Sequence, residues 1–152
     1  MTAGRLRLPL LPRRARWLLV GTILAAILVF SVVPPPGAGR LATGPFGVVP
    51  LSTWLHGLAY ATLALGLAYA LRTSPRPAWQ LLVGVFAFAT AYGAGIELLQ
   101  LTRPARRFDG ADILANATGA ALAVIGWTWL ERRVRFYRCR RIDALRSPIE
   151  RR

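Results

Sequence analysis

The chain has 152 residues, of which 55% are hydrophobic, and a formal net charge of +14. Soluble proteins contain about 45–50% apolar residues, whereas here the apolar residues are also gathered into long blocks. A nucleic-acid-binding domain would share the charge but would not need such blocks. The composition therefore favours a one-domain membrane protein and argues against a nucleic-acid partner.

The chain holds one cysteine and one histidine, and all 20 basic residues are arginine. The single Cys139 excludes an internal disulfide framework. No metal site built from several Cys and His side chains can form, so the sequence predicts neither a metal nor a cofactor.

Four apolar segments each approach the roughly 20 residues that a helix needs to cross the hydrocarbon core. They predict an all-α fold, a bundle of four transmembrane helices. All five tryptophans lie near segment ends, where aromatic side chains sit at head-group level. The predicted spans are 17–33, 54–71, 79–101 and 113–130.

The arginine distribution predicts the orientation of the bundle in a cell membrane. Sixteen of the 20 arginines fall in the two terminal tails and the loop between the second and third spans. By the positive-inside rule, both termini are therefore predicted to be cytoplasmic. The predicted division is a basic N-terminal tail (1–16), a membrane domain (17–130) and a basic C-terminal tail (131–152). A cleaved signal peptide is the alternative for the first span, but three following prolines make a poor cleavage site.

Costly polar residues converge near the predicted outer interface. His56 and Tyr60 are four residues apart and Glu97 and Gln100 three apart, spacings that share a helix face. A carboxylate at the bilayer centre costs about 2.5–3.5 kcal/mol, so Glu97 is expected near the boundary and among polar partners. The loop before the fourth span adds arginines and Asp109, a candidate helix cap. The predicted ligand-binding residues are His56, Tyr60, Glu97, Gln100, Arg106, Arg107, Asp109, Asp112 and Asn116.

Several roles are open for this cluster. One is a binding site for the head group of a membrane lipid or of a lipid-linked envelope glycan, with arginines as charge-assisted donors. The alternative is an intramembrane hydrolase or transferase with His56, Glu97 and Asp112 as candidate catalytic residues, with or without a divalent metal. A purely structural network is a third explanation, and a proton-coupled transporter fits least because no charges lie at the midplane.

The segments "WLHGLAYATLALGL" and "YGAGIELLQLTRPARRFDGADILANATGAAL" resemble the VanZ-like family of small membrane proteins. The resemblance extends over about residues 52–125. It implies an envelope protein, and the family's name connects it with glycopeptide antibiotic resistance. Ser52 and Thr53 stand where the family often has an Asp-Lys pair, so no role of that pair carries over. The matching motif residues are His56 and Tyr60, Glu97 and Gln100, Arg107 and Asp109, and Asp112, Asn116 and Gly119.

Small residues recur every four positions in the third and fourth spans. Ala89 and Gly93 share one helix face, and Ala115, Gly119 and Ala123 share another. This spacing lets membrane helices pack closely, backbone against backbone. It predicts close helix packing and leaves a homo-oligomer open as a second use of the same faces.

Overall fold

A computed structural model describes residues 6–33, 43–102 and 110–138, apart from the side chains of Phe46 and Arg138. Each of its four helices is long and apolar enough to cross a membrane. The prediction of a helical, multi-pass membrane domain is confirmed, whereas the side on which the termini lie stays a prediction. The helices are α1 Arg13–Val32, α2 Leu51–Leu71, α3 Ala78–Gln100 and α4 Gly110–Arg133.

Each of the first three helices begins directly after a proline, namely Pro12, Pro50 or Pro77. Proline has no N–H group to leave unpaired at a helix start, and its fixed φ angle suits the entry into a helix. These starts lie up to four residues before those predicted from hydropathy. Helix α1, for example, begins at Arg13 and not at Trp17.

Successive helices run in opposite directions. Arg16 near the start of α1 contacts the end of α2, and Gln100 at the end of α3 contacts Ser31 at the end of α1. We call the end where α2 and α4 finish the tail end. The opposite end, where α2 and α4 begin and α1 and α3 finish, is the far end.

The closest helix packing joins α2 to α4, which share the most extensive contact in the bundle. Gly119 faces Gly57 so closely that a side-chain carbon on Gly119 would overlap the Gly57 backbone. Small residues permit such an approach in membrane helices. Gly93 and Gly119 are both buried within the chain, so a homo-oligomer, which stays a prediction, would need other surfaces.

A parallel two-stranded ribbon closes the tail end, a feature that the sequence did not predict. Strand β1, Leu6–Leu10, pairs with β2, Val134–Arg138, and Leu6 lies opposite Val134. Phe136 in β2 stacks on the ring of Trp127 at 5.8 Å between centroids. The ribbon therefore ties the beginning of the described chain to its end.

The tryptophans mostly occupy the predicted belt positions. Trp17, Trp54, Trp79 and Trp129 lie near helix ends and are 41–66% exposed, as side chains at head-group level would be. Trp127 departs from this pattern, because it is 6% exposed and covered by the ribbon. Its role is packing at the tail end.

Arg16 joins the start of α1 to the end of α2 at the tail end, and its side chain is buried, with an exposure of 3%. Its guanidinium donates hydrogen bonds to the carbonyls of Tyr69 at 3.0 Å and Ala70 at 2.9 Å. A third bond, of 2.8 Å, goes to the Thr73 hydroxyl. The last carbonyls of a helix have no intrahelical partner, so Arg16 satisfies groups that α2 cannot satisfy itself.

We expect Arg16→Ala to lower the free energy of unfolding in detergent by about 1.5–3 kcal/mol, the usual contribution of a hydrogen bond to a charged group. Arg13→Ala is the matched control, because Arg13 lies in the same helix turn and is exposed. Thermal unfolding followed by tryptophan fluorescence measures both. Equal stability of the two variants would contradict the capping role.

Candidate functional site

One imidazole lies among polar groups from two other helices at the far end. His56, in the second turn of α2, has a side chain that is 17% exposed. Its Nδ1 lies 3.1 Å from Oδ1 of Asn116 and 4.0 Å from Oε1 of Glu97. Its Nε2 lies 3.7 Å from Oδ2 of Asp112. The imidazole is therefore bordered by two carboxylates and one amide.

The three residues predicted as catalytic candidates converge. One potential ligand atom from each of His56, Glu97 and Asp112 lies within 4.8 Å of the others. We call these three residues the triad. Glu97 comes from the last turn of α3 and Asp112 from the first turn of α4, and both are buried. The triad thus depends on the helix packing and not on any local sequence motif.

Asn116 orients the imidazole from one turn further along α4. The hydrogen bond from His56 to Oδ1 of Asn116 requires a proton on Nδ1 of the ring. A neutral His56 then carries its lone pair on Nε2, which faces Asp112. The amide nitrogen of Asn116 is buried and has no hydrogen-bond partner within the described ranges.

Tyr60 brings a second unpartnered polar group close to Asn116. The residue is 1% exposed, and its hydroxyl makes no hydrogen bond to the parts of the chain that are described. A carbon added at Gly93 would lie 2.6 Å from Nδ2 of Asn116 and 3.1 Å from the Tyr60 ring. Gly93 therefore leaves the room that both side chains occupy. Buried polar groups without partners are rare in proteins, so both groups are candidates for a hydrogen bond to a ligand oxygen.

Three helices thus bring together five of the residues that carry the family resemblance, namely His56, Tyr60, Glu97, Asp112 and Asn116. The model of the VanZ/LLP1 family matches residues 23–131, more than two thirds of the chain. The chain belongs to the VanZ/LLP1 family. The matched range includes the whole triad together with Tyr60 and Asn116. No curated protein and no solved structure matches this VanZ-like chain.

Gln100 lies at the same end of the VanZ-like bundle but makes its hydrogen bond elsewhere. Its Nε2 donates to the carbonyl of Ser31 at 3.1 Å. Ser31 lies in the last turn of α1, where carbonyls lack helical partners. This contact joins α3 to α1, so the predicted part of Gln100 in ligand binding stays a prediction.

Thr53 is a member of the site that the sequence analysis missed. Its hydroxyl donates to Oδ1 of Asp112 at 3.4 Å, which leaves Oδ2 on the side of His56. The available signal was the spacing, because Thr53 lies three residues before His56 and so shares its helix face.

Three predicted site residues, Arg106, Arg107 and Asp109, lie outside the described residues. They belong to the segment between α3 and α4. Their predicted roles in charge-assisted binding and helix capping therefore stay predictions.

Proposed function

We propose that this VanZ-like membrane protein binds the head group of a membrane lipid, or of a lipid-linked envelope glycan, at the far end of its bundle. Two buried polar groups, the Tyr60 hydroxyl and Nδ2 of Asn116, have no hydrogen-bond partner among the described residues, and this observation carries the proposal. Phosphate and sugar oxygens would accept the hydrogen bonds that these groups can donate.

The depth of the site supports a head group over an acyl chain. His56, Glu97 and Asp112 all lie within two turns of a helix end. Head groups occupy this level of a bilayer, whereas the hydrocarbon core begins deeper. Polar side chains also cost less there than at the centre of the membrane.

The arginine bias supports a site that faces outward. With both termini in the cytoplasm, as the positive-inside rule predicts, the far end lies on the outer face. Arg106 and Arg107, which follow α3 in the sequence, would add charge-assisted hydrogen bonds to a phosphate. A protein that binds envelope lipids in this way would modulate envelope properties, and the VanZ name connects such a role with glycopeptide susceptibility.

Lipid retention tests the proposal. We expect Tyr60→Phe to lower the amount of the bound lipid class about tenfold, the loss that corresponds to one hydrogen bond of about 1.4 kcal/mol. Stability should not fall, because the Tyr60 hydroxyl has no partner to lose among the described residues. Tyr137→Phe is the matched control, since Tyr137 is 49% exposed and lies in β2 at the tail end.

Mass spectrometry of lipids retained by the purified proteins gives the measurement, and binding of added lipids in nanodiscs confirms it. A Tyr60→Phe variant with unchanged retention of every lipid class would contradict head-group binding. A purely structural site predicts that same unchanged retention, so the experiment separates the two explanations.

A second candidate function is an intramembrane hydrolase or transferase acting on a lipid-linked substrate. The geometry that favours it is the fixed imidazole, with Nε2 directed at Asp112 and Nδ1 held by Asn116. Nε2 could accept the proton of an attacking hydroxyl group as general base, and the carboxylate of Asp112 would stabilise the imidazolium that forms. Product formation from lipid-linked glycans by the wild-type protein, lost in His56→Gln, would favour this candidate over simple binding.

A further inference from the structure

Three side chains of the metal-binding type meet at the far end, one from each of three helices. Histidine and carboxylates are the usual ligands of zinc in proteins, together with cysteine. The potential ligand atoms of His56, Glu97 and Asp112 lie within 4.8 Å of one another. Around an ion with bonds of about 2.0–2.2 Å, these atoms would need to close in by only about 1 Å. We propose that the triad binds a divalent transition-metal ion, Zn²⁺ or Mn²⁺.

The charges of the triad favour a cation. Two ionised carboxylates this close repel each other, and burial strengthens the repulsion because the surrounding dielectric is low. A divalent ion would place two positive charges between Glu97 and Asp112 and would become the largest local charge.

Asn116 and Thr53 make hydrogen bonds that orient two of the proposed ligands, His56 and Asp112. A histidine that binds a metal usually donates its other ring N–H group to an oxygen, which fixes its tautomer. Oδ1 of Asn116 accepts that bond from Nδ1, and Nε2, 3.7 Å from Oδ2 of Asp112, is left for the ion. Oε1 of Glu97, which lies 4.0 Å from Nδ1, would turn toward Nε2 to complete the ligand set. Thr53 similarly holds Oδ1 of Asp112, so that Oδ2 lies on the side of the imidazole.

Asn116 and Tyr60 supply an independent second observation, because each has a buried polar group with no hydrogen-bond partner in the described part of the chain. Nδ2 of Asn116 belongs to a residue that is 1% exposed and that already contacts the triad through Oδ1. A metal held by three protein ligands keeps at least one open position for a water or ligand oxygen. An oxygen bound there would accept the hydrogen bonds that Nδ2 and the Tyr60 hydroxyl can donate.

The mixed ligand set narrows the choice of ion. Calcium and magnesium prefer sites made of oxygen ligands only, whereas imidazole suits zinc and other transition metals. Carboxylates also suit manganese. That the open position would take an oxygen of a lipid phosphate rests on the proposed function, but the metal site itself does not.

The experiment uses the full chain without a histidine tag, so that His56 is the only imidazole in the sample. The protein in detergent is stripped with a chelator and titrated with ZnCl₂ or MnCl₂ in a calorimeter. We expect one ion per chain, with affinity at least about tenfold lower in Glu97→Gln and in Asp112→Asn. Glu131→Gln is the matched control, because Glu131 pairs with Arg72 at the tail end, and its affinity should equal that of the wild type.

Pulsed EPR of the Mn²⁺-loaded protein provides a readout that does not depend on affinity. Coupling of the manganese to an imidazole nitrogen is expected in the wild type and should be absent in His56→Ala. Circular dichroism and gel filtration show which variants remain folded, and any one folded triad variant suffices for the comparison. No stoichiometric binding by the wild type, or undiminished binding by a folded triad variant, would overturn the metal site.

Lipid retention measured on the same stripped protein separates this proposal from the proposed function. Stoichiometric metal binding without any retained lipid would support the metal site and overturn head-group binding. Lipid retention without metal binding would support head-group binding and overturn the metal site.

Discussion

A Gly119→Ala variant is expected to lose about 3 kcal/mol of stability, the upper part of the usual range for overpacking. The added methyl group would enter the backbone of Gly57, where it would meet the carbonyl group and the Cα atom. Backbone cannot rotate away as a side chain can, so α2 and α4 would have to separate. This loss outweighs the gain of about 1 kcal/mol that alanine normally brings to a helix interior.

Gly126→Ala is the control for Gly119→Ala, because both glycines lie in α4. A carbon added at Gly126 would meet nothing within 4 Å, so this variant should be as stable as the wild type or up to about 1 kcal/mol more stable. Thermal unfolding in detergent, followed by circular dichroism, compares the two. If Gly119→Ala and Gly126→Ala unfolded at the same temperature, the contact between α2 and α4 would be more adaptable than its geometry indicates.

The same contact also sets the geometry of the site. Helix α2 carries His56, and α4 carries Asn116 one turn before Gly119 and Asp112 two turns before it. Any separation of the two helices would therefore lengthen the 3.1 Å contact between His56 and Asn116. We conclude that small residues in the core place the polar residues of the site.

The number and positions of the helices could be predicted from the sequence because hydropathy over about 20 residues reports directly on membrane crossing. Their starts were less predictable, since the arginines in the first turn of α1 lower the hydropathy there. The better signal for these starts was a proline directly before each helix, at Pro12, Pro50 and Pro77. Proline fixes a helix start by its backbone geometry, whatever the hydropathy of the residues that follow.

The candidate site could be predicted in part, because residues three or four apart share a helix face. That rule gave Tyr60 with His56 and Asn116 with Asp112. It could not give contacts between helices, such as the hydrogen bond from Thr53 to Asp112 or that from Gln100 to Ser31. Those depend on how each helix is rotated in the bundle, which packing decides.

The ribbon at the tail end was missed for a different reason. An even number of spans places both tails on one side of the membrane, and this much follows from the helix count. Nothing in the spacing of residues 6–10 and 134–138 showed that they would pair in parallel. Their partners are aromatic rings of the bundle, with Tyr69 donating a hydrogen bond to the Pro9 carbonyl and Phe136 stacked on Trp127.

Gly93→Ala is expected to impair the site while leaving the bundle folded. The added carbon would lie 2.6 Å from Nδ2 of Asn116 and 3.1 Å from the Tyr60 ring. Asn116 is a side chain and can move, so the fold should tolerate the change better than at Gly119. The movement would disturb the hydrogen bond that fixes the His56 tautomer. Loss of such a support typically lowers metal affinity 10- to 100-fold.

The matched control is Gly95→Ala, which lies in the same helix and meets nothing within 4 Å. Calorimetry with Zn²⁺ and retention of envelope lipids are measured on both variants, together with their unfolding temperatures. We expect Gly93→Ala to bind Zn²⁺ and lipid at least about tenfold more weakly than Gly95→Ala. If the two variants bound equally, the contacts of Asn116 and Tyr60 would serve packing alone. If Gly93→Ala bound more weakly than Gly95→Ala but was equally stable, Gly93 would be a positioning residue. Its lack of a side chain would then leave room for Asn116 and Tyr60, the groups that contact the ligand.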